Sequence, residues 1–281
     1  MKIAGLRLVK TISKTFCVSA VKTSPWESAE LAARFAQAAA AQGFRLEAFG
    51  EHENCPLNAF TKRTPGARPR IYLSSGIHGD EPAPPLALLA LLERGVFDER
   101  ANWFLVPLLN PAGFRLAQRE NASGIDLNRD YLNPASPEVA AHVAWLRRQP
   151  PFDLSLCLHE DWESTGFYLY EVINPGEPPL AATMVEAVRK VSPIDPATII
   201  DERPVSEPGI IRPEIDAAIR ETWPEALYLR EHHTPSSYTL ETPSAHPLND
   251  RIQSMVVAVT AGLEAFHAAR LDAHAITNES V

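Results

Sequence analysis

His78, Glu81, His159 and Glu241 are the residue types from which a catalytic metal centre is built. Zinc takes about four ligands, and a catalytic zinc takes three from the protein and leaves one position for water. His78 and Glu81 stand three residues apart in SSGIHGDEPAP (74–84), directly after the apolar run IYL. That spacing crosses one turn and lets both side chains reach a single ion. On its own, HxxE describes a turn with a solvated glutamate equally well, and a histidine ending a strand can be purely structural. A second constellation is NPAGFRLAQRENASGIDLNRDY (110–131), which places Arg115, Arg119, Asn128 and Arg129 between two regular elements. Arginine in a loop is often just solvated charge, but a guanidinium fork also matches a carboxylate with two parallel hydrogen bonds.

These side chains must be held by something. SPWESAELAARFAQAAAAQGF reads as a helix, with Ser24 as its N-cap, Pro25 in its first turn, Glu27 completing a capping box and Gly43 stopping it. RLEAFGE and RIYLSSG (70–76) read as strands, and the stretch from Pro82 to Gly95 as a helix. NWFLVPLLN (102–110) reads as a strand, SPEVAAHVAWLRRQ (136–149) as a helix capped by Ser136, and FDLSLCLHE (152–160) as a third apolar strand. GFYLYEVI, a helix over about 179–191, the strand SSYTLE (236–241) and a long helix over about 246–271 complete the series. Residues 174–235, rich in proline and charge, read as irregular excursions.

Apolar strands alternating with helices predict an α/β fold: a single domain over 1–281 whose mixed, mostly parallel twisted sheet carries helices on both faces. Ligands of such sheets bind beyond the carboxyl ends of the strands. His78 and Glu81 follow one strand there, Asn110 follows the next, His159 ends the third and Glu241 the fourth.

The order NPxG, RxNAxG, DLNR, with HGxE upstream and strand-end His and Glu downstream, resembles the zinc carboxypeptidase family, including its murein-peptide members. The resemblance spans about residues 70–160, and 236–245 more loosely. It implies a phosphorylase/hydrolase-like fold and one Zn2+ held by His78, Glu81 and His159. It further implies Arg119 at the oxyanion of the scissile carbonyl, Asn128 and Arg129 on the substrate's free carboxylate, and Glu241 of SYTLETP as general base. Asp126 matches a carboxylate that orients the first zinc histidine, as metal-binding histidines commonly require.

Three departures stand out. The family places a tyrosine on a mobile loop before the catalytic glutamate, but AAIRETWPEALYLREHH has none there; Tyr228 and Tyr238 are not firm matches. NPAG replaces the commoner NPDG, and Asp130 follows Asn-Arg where asparagine is frequent. The related succinylglutamate desuccinylase and aspartoacylase enzymes share the zinc set, lack the tyrosine and open with HGNExAP, close to HGDEPAP. The spacing of RENASGIDLNR is nearer to the carboxypeptidases. The expectation is therefore a zinc metallocarboxypeptidase acting on small peptides with a free carboxylate, cell-wall peptides among them. The alternatives are a deacylase of N-acyl amino acids and an inactive carboxylate-binding relative.

Composition agrees with an ordinary globular chain of 281 residues, 45% hydrophobic and 22% charged. A formal charge of −9 argues against nucleic-acid or anionic-membrane partners, which need clustered basic residues. Cys17, Cys55 and Cys157 are few and dispersed, as in a reducing compartment. MKIAGLRLVKTISKTF lacks the uninterrupted apolar core of a secretory signal, and no unbroken run approaches the ~18 apolar residues of a membrane span. A cytoplasmic location is the corresponding expectation. Of the other histidines, His142 on its predicted helix reads as a surface or core residue. The pair His232 and His233 reads as solvated loop residues, with lining the cleft or binding a second ion as the alternative. His267 and His274, in a polar C-terminal tail, are assigned no role. Trp162, Tyr168 and Tyr170 can shape a specificity pocket or simply pack.

Overall fold

The computed structural model of the chain describes residues 27–214 and 216–279, with side chains up to residue 271. Its elements, in chain order, begin with α1 (Ser28–Ala41), β1 (Arg45–His52), β2 (Cys55–Lys62), β3 (Arg70–Ser74), α2 (Ala83–Glu93), β4 (Asn102–Val106) and α3 (Pro111–Leu116). Then follow α4 (Pro137–Leu146), β5 (Leu154–Asp161), β6 (Tyr168–Ile173), α5 (Ala181–Val188), β7 (Ile199–Ile200), β8 (Arg203–Pro204) and β9 (Ile210–Ile211). The last three are α6 (Glu225–His232), β10 (Ser236–Pro243) and α7 (Leu248–Glu279).

Eight strands form one sheet in the order β1-β2-β4-β3-β5-β10-β6-β9, and β7 and β8 form a separate hairpin. The pairs β4–β3, β3–β5, β5–β10 and β6–β9 are parallel, whereas β1–β2, β2–β4 and β10–β6 are antiparallel. The sheet is thus mixed, with its central strands parallel as the apolar runs predict. Alternation along β5 sorts the layers: Leu154, Leu156 and Leu158 join one core with side chains of α1, α2, α5 and α7, while Cys157 joins the other with α4 and α6. By length and composition, Leu248–Leu271 of α7 is long and apolar enough to cross a bilayer, but half of its most apolar window is buried, with α2 and α5 as neighbours.

Several boundaries differ from the sequence reading. Ser24 and Pro25 lie outside the described residues, and Glu27, at the N-cap of α1, makes no side-chain capping bond. Gly43 does stop that helix, at φ +77°. Strand β2 was not expected: CPLNAFTK carries proline and asparagine, but the turn at Glu53 and Asn54, both at positive φ, folds it onto β1 and it continues the sheet to β4. Within 174–235 the expected helix is present as α5, but the rest of the predicted excursion also contains ordered elements, namely β7, β8, β9 and α6. The stretch 110–131 contains α3 and a 3-10 turn at Leu127–Arg129 rather than a plain loop. Cys55 and Cys157 are free thiols, and Cys17 lies outside the described residues.

A candidate metal centre and its cleft

β3 ends at Ser74, and the turn after it delivers His78 and Glu81, both buried, before α2 begins. His159 enters from β5 of the same sheet and is likewise buried. Each of the three offers a ligand atom within 4.8 Å of the others. The imidazoles converge on one carboxylate: His78 Nδ1 lies 2.5 Å from Glu81 Oε1, and His159 Nδ1 lies 3.2 Å from Glu81 Oε2. The donor set is two histidines and a glutamate, all buried, which fits a catalytic zinc.

Asp126 sits behind the trio. Its Oδ1 lies 3.3 Å from His78 Nε2, its Oδ2 accepts from Arg119 Nε at 3.1 Å, and its Oδ1 also accepts the Asn128 backbone N–H at 2.9 Å. One carboxylate therefore fixes a prospective metal ligand, the oxyanion candidate and the loop carrying Asn128. Arg119 borders the trio directly, with Nη1 3.3 Å from His78 Nδ1 and 3.8 Å from Glu81 Oε1.

Electrostatics match this arrangement. Burial opposes a charged His78, but Glu81 and the hydrogen bonds to Asp126 and Glu81 outweigh it and raise its pKa to about 9. Burial likewise tends to raise Glu81 and Asp126, yet the neighbouring histidines pull Glu81 down, and His78, Arg119 and Arg129 hold Asp126 well below the usual carboxylate range. Glu241 behaves oppositely. Burial, then the charges of Glu81, Asp161 and Asp201, push its carboxyl well above the ordinary value.

Glycine explains how the two motifs meet. A Cβ on Gly79 of HGDE would fall 2.0 Å from the carbonyl carbon of Gly113 in NPAG, and one on Gly113 would fall 2.4 Å from Asn110 Nδ2. The HGDE turn can touch α3 because Gly79 lacks a side chain, while the bare Gly113 leaves room for Asn110 and the Glu120 carbonyl. Asn110, expected among the strand-end polar groups, holds this junction: its Oδ1 accepts from Gly113 N at 2.9 Å and its Nδ2 donates to Arg119 O at 3.2 Å.

A cleft of about 210 Å³ opens beside the trio and is lined by His159, Glu241, Asn128, Arg129 and Tyr170 among others. Asn128 is fixed by accepting the Glu225 backbone N–H at 2.9 Å, while the exposed Arg129 donates to Asn128 O at 2.8 Å. His159 and Glu241 lie within their strands, two residues before the ends, rather than closing them. The residues anticipated for ligands, base, oxyanion and carboxylate are thus gathered at one end of the sheet. Arg115 is not among the residues lining the cleft.

The tyrosines fall elsewhere than expected. Tyr228 packs beside Tyr131 and His232, and the fully buried Tyr238 bonds to Glu171. Tyr170 of β6 is the tyrosine on the cleft wall, donating to Asp201 Oδ2 at 2.5 Å; Tyr168 is buried and Trp162 is 76% exposed. His232 closes α6, and His233 is buried against Phe152 and Tyr228 rather than in an open loop. His267 is buried on α7, and the His274 side chain lies outside those described.

Sequence reasoning missed a buried polar chain behind the cleft. Tyr72 and Ser74 donate to the two oxygens of Glu225 at 2.6 and 2.8 Å, and His142 bonds to Tyr72 and Tyr131 at 3.1 and 2.8 Å. Burial raises Glu225 to about 7 and lowers His142 to about 3.

Residues 67–195, under half of the chain, match the succinylglutamate desuccinylase/aspartoacylase catalytic domain. Carboxypeptidase SOL1 of Arabidopsis thaliana is 32% identical over 114 residues, 33% of this chain and 23% of that protein, so the match spans less than a quarter of the relative's length. A crystal structure from Shewanella denitrificans, provisionally classed as a metallopeptidase, superposes with a TM-score of 0.72 at 26% identity, covering 85% of this chain and 88% of that one. A metallo-carboxypeptidase from Burkholderia cenocepacia superposes with a TM-score of 0.66 over 88% and 70% of the two chains, and at 17% identity it bears on the fold alone.

Proposed function

We infer, for a chain that is zinc carboxypeptidase-like in fold and strand-end motifs, that it hydrolyses an amide bond next to a free carboxylate, as a metallocarboxypeptidase acting on peptides. The observation that carries this reading is the buried convergence of His78, Glu81 and His159 beside a carboxylate, Glu241, that is not part of the trio. His78, Glu81 and His159 would hold one zinc ion, which when bound lowers the pKa of its water towards ~7 and polarises a carbonyl.

The remaining chemistry belongs to the chain. Glu241, whose carboxyl is pushed upward by burial and nearby acids, takes the proton of the attacking water and passes it to the departing nitrogen. Arg119 donates to the carbonyl oxygen as it gains charge, a contribution worth ~10²–10³ in rate by analogy with other oxyanion donors. Asp126 keeps both His78 and Arg119 in place for this. Asn128 and Arg129, on the cleft wall, bind the substrate's terminal carboxylate and set which amide faces Glu241.

A second reading is a deacylase of N-acyl amino acids, favoured by the match to the desuccinylase/aspartoacylase domain. Purified protein assayed with N-acylated dipeptides and with N-acyl amino acids, before and after chelator treatment and zinc restoration, separates the two. Chelator-sensitive turnover of the dipeptides alone supports the peptidase. Turnover of the acyl amino acids alone replaces it with the deacylase, and turnover that survives complete metal removal overturns both.

A further inference from the structure

The lining of the cleft also includes Arg203, Arg220 and Arg230, in a chain whose formal charge is −9. Among the described residues none of the three pairs with a carboxylate. By contrast Arg34, Arg100, Arg212 and Arg251 all do, with Glu93, Glu264, Glu207 and Glu160 respectively. Arg203, Arg220 and Arg230 are also each partly buried, so they are not simply arginines extended into water. Arg230 Nη2 donates to Asn174 Oδ1 at 2.5 Å, a neutral partner that anchors the guanidinium at the cleft without cancelling its charge.

The acids of the cleft do not cancel this charge. Asp201 accepts from Tyr170 and makes no ion pair with the arginines, and Glu241 belongs to the reaction end. Asp201 and Glu202 both sit at positive φ, +49° and +59°, in the tight turn between β7 and β8. For non-glycine residues that backbone is held against its preference, and the turn leads directly into Arg203, which lines the cleft. Arg220 is lowered first by burial and then by repulsion from Arg203 and Arg129, so it shares one region of the cleft with both.

We propose that Arg203, Arg220 and Arg230 bind a second carboxylate of the substrate, on the side chain of the released residue, so that the enzyme prefers peptides ending in glutamate or aspartate. The inference rests on the reading of this cleft as the substrate site. Arg129 and Arg220 lie close enough to feel each other's charge, and one acidic residue can span a terminal and a side-chain carboxylate. Clustered positive charge in a partly enclosed cleft also concentrates anionic substrate near the reacting groups.

The test uses two N-acylated dipeptides that differ only in a C-terminal Glu or Gln. In the zinc-loaded wild type, kcat/KM for the Glu peptide is expected to exceed that for the Gln peptide by about ten- to a hundredfold. Arg220→Gln and Arg203→Gln are expected to shrink that ratio towards one. Binding of the same two peptides to zinc-loaded Glu241→Gln, measured by calorimetry, should give the same order of preference. Equal handling of Glu and Gln, or a ratio that persists in both arginine variants, overturns the inference even if peptides are cleaved. Preferential binding of the Glu peptide without any turnover keeps it and rejects the peptidase reading instead.

Discussion

Glu241 and His159 are register partners on the adjacent parallel strands β10 and β5, so their side chains leave the same face of the sheet one strand apart. The pairing puts the carboxylate beside a prospective metal ligand without making it one. Glu241→Gln is therefore expected to lower kcat by ~10²–10⁴ while the protein still takes up one equivalent of zinc. Zinc stoichiometry and kcat on the same preparation check this, and near-wild-type turnover would remove Glu241 from the role of base.

Asp126 bonds on one side to His78 and on the other to Arg119. Asn in its place loses the charge and sets an amide N–H against at least one of the N–H groups of His78, Arg119 and Asn128 that Asp126 accepts. Asp126→Asn is expected to weaken zinc binding by about ten- to a hundredfold and to lower kcat beyond what restored zinc recovers. Zinc affinity from chelator competition, with kcat at saturating zinc, measures the two effects. An unchanged affinity would mean that His78 is oriented by something else.

His78 in the metal-free protein is raised to about 9, chiefly because Glu81 and Asp126 overcome the effect of burial. At neutral pH it then carries a proton that zinc must expel. Zinc affinity should climb by about tenfold per pH unit up to roughly pH 9 and flatten above it. Calorimetry in buffers of different ionisation enthalpy should register close to one proton released from His78 at pH 7. A pH-independent affinity with no proton release contradicts the expectation.

Glu225 and His142 impose opposite pH dependences on stability. Glu225 is raised from 4.5 to about 7, so the folded state holds the extra proton and stability falls as pH rises through that window. His142 is lowered from 6.5 to about 3, so stability falls as pH drops through its own window, and the two contributions offset each other where the windows overlap. Replacing Glu225 with Gln removes one side. Relative to wild type, Glu225→Gln should gain stability as pH rises from about 4.5 to about 7, by up to about 3 kcal/mol. Urea unfolding of both proteins across that range tests this, and a constant difference between them would place Glu225 outside the titrating groups.

Much of the fold is legible in the chain because strand and helix periods are local. FDLSLCLHE and RIYLS are apolar enough to specify central strands, and Ser136 caps α4 through Val139 N as its position predicts. His78, Glu81, His159, Asp126 and Glu241 could be named from motif order alone. Other features could not. The strand β2 follows from hydrogen bonding to two neighbours in space, which overrides the weak preference of CPLNAFTK. The helix α6, in which Glu225, Leu227, Tyr228 and Leu229 are buried, shows little helical stripe in its sequence. The register of Glu241 beside His159, the contact of Gly79 with Gly113 and the gathering of Arg203, Arg220 and Arg230 join residues tens of positions apart. Residue type fixes what each side chain can do. Which of them share one cleft depends on packing between distant segments, and no local period records that.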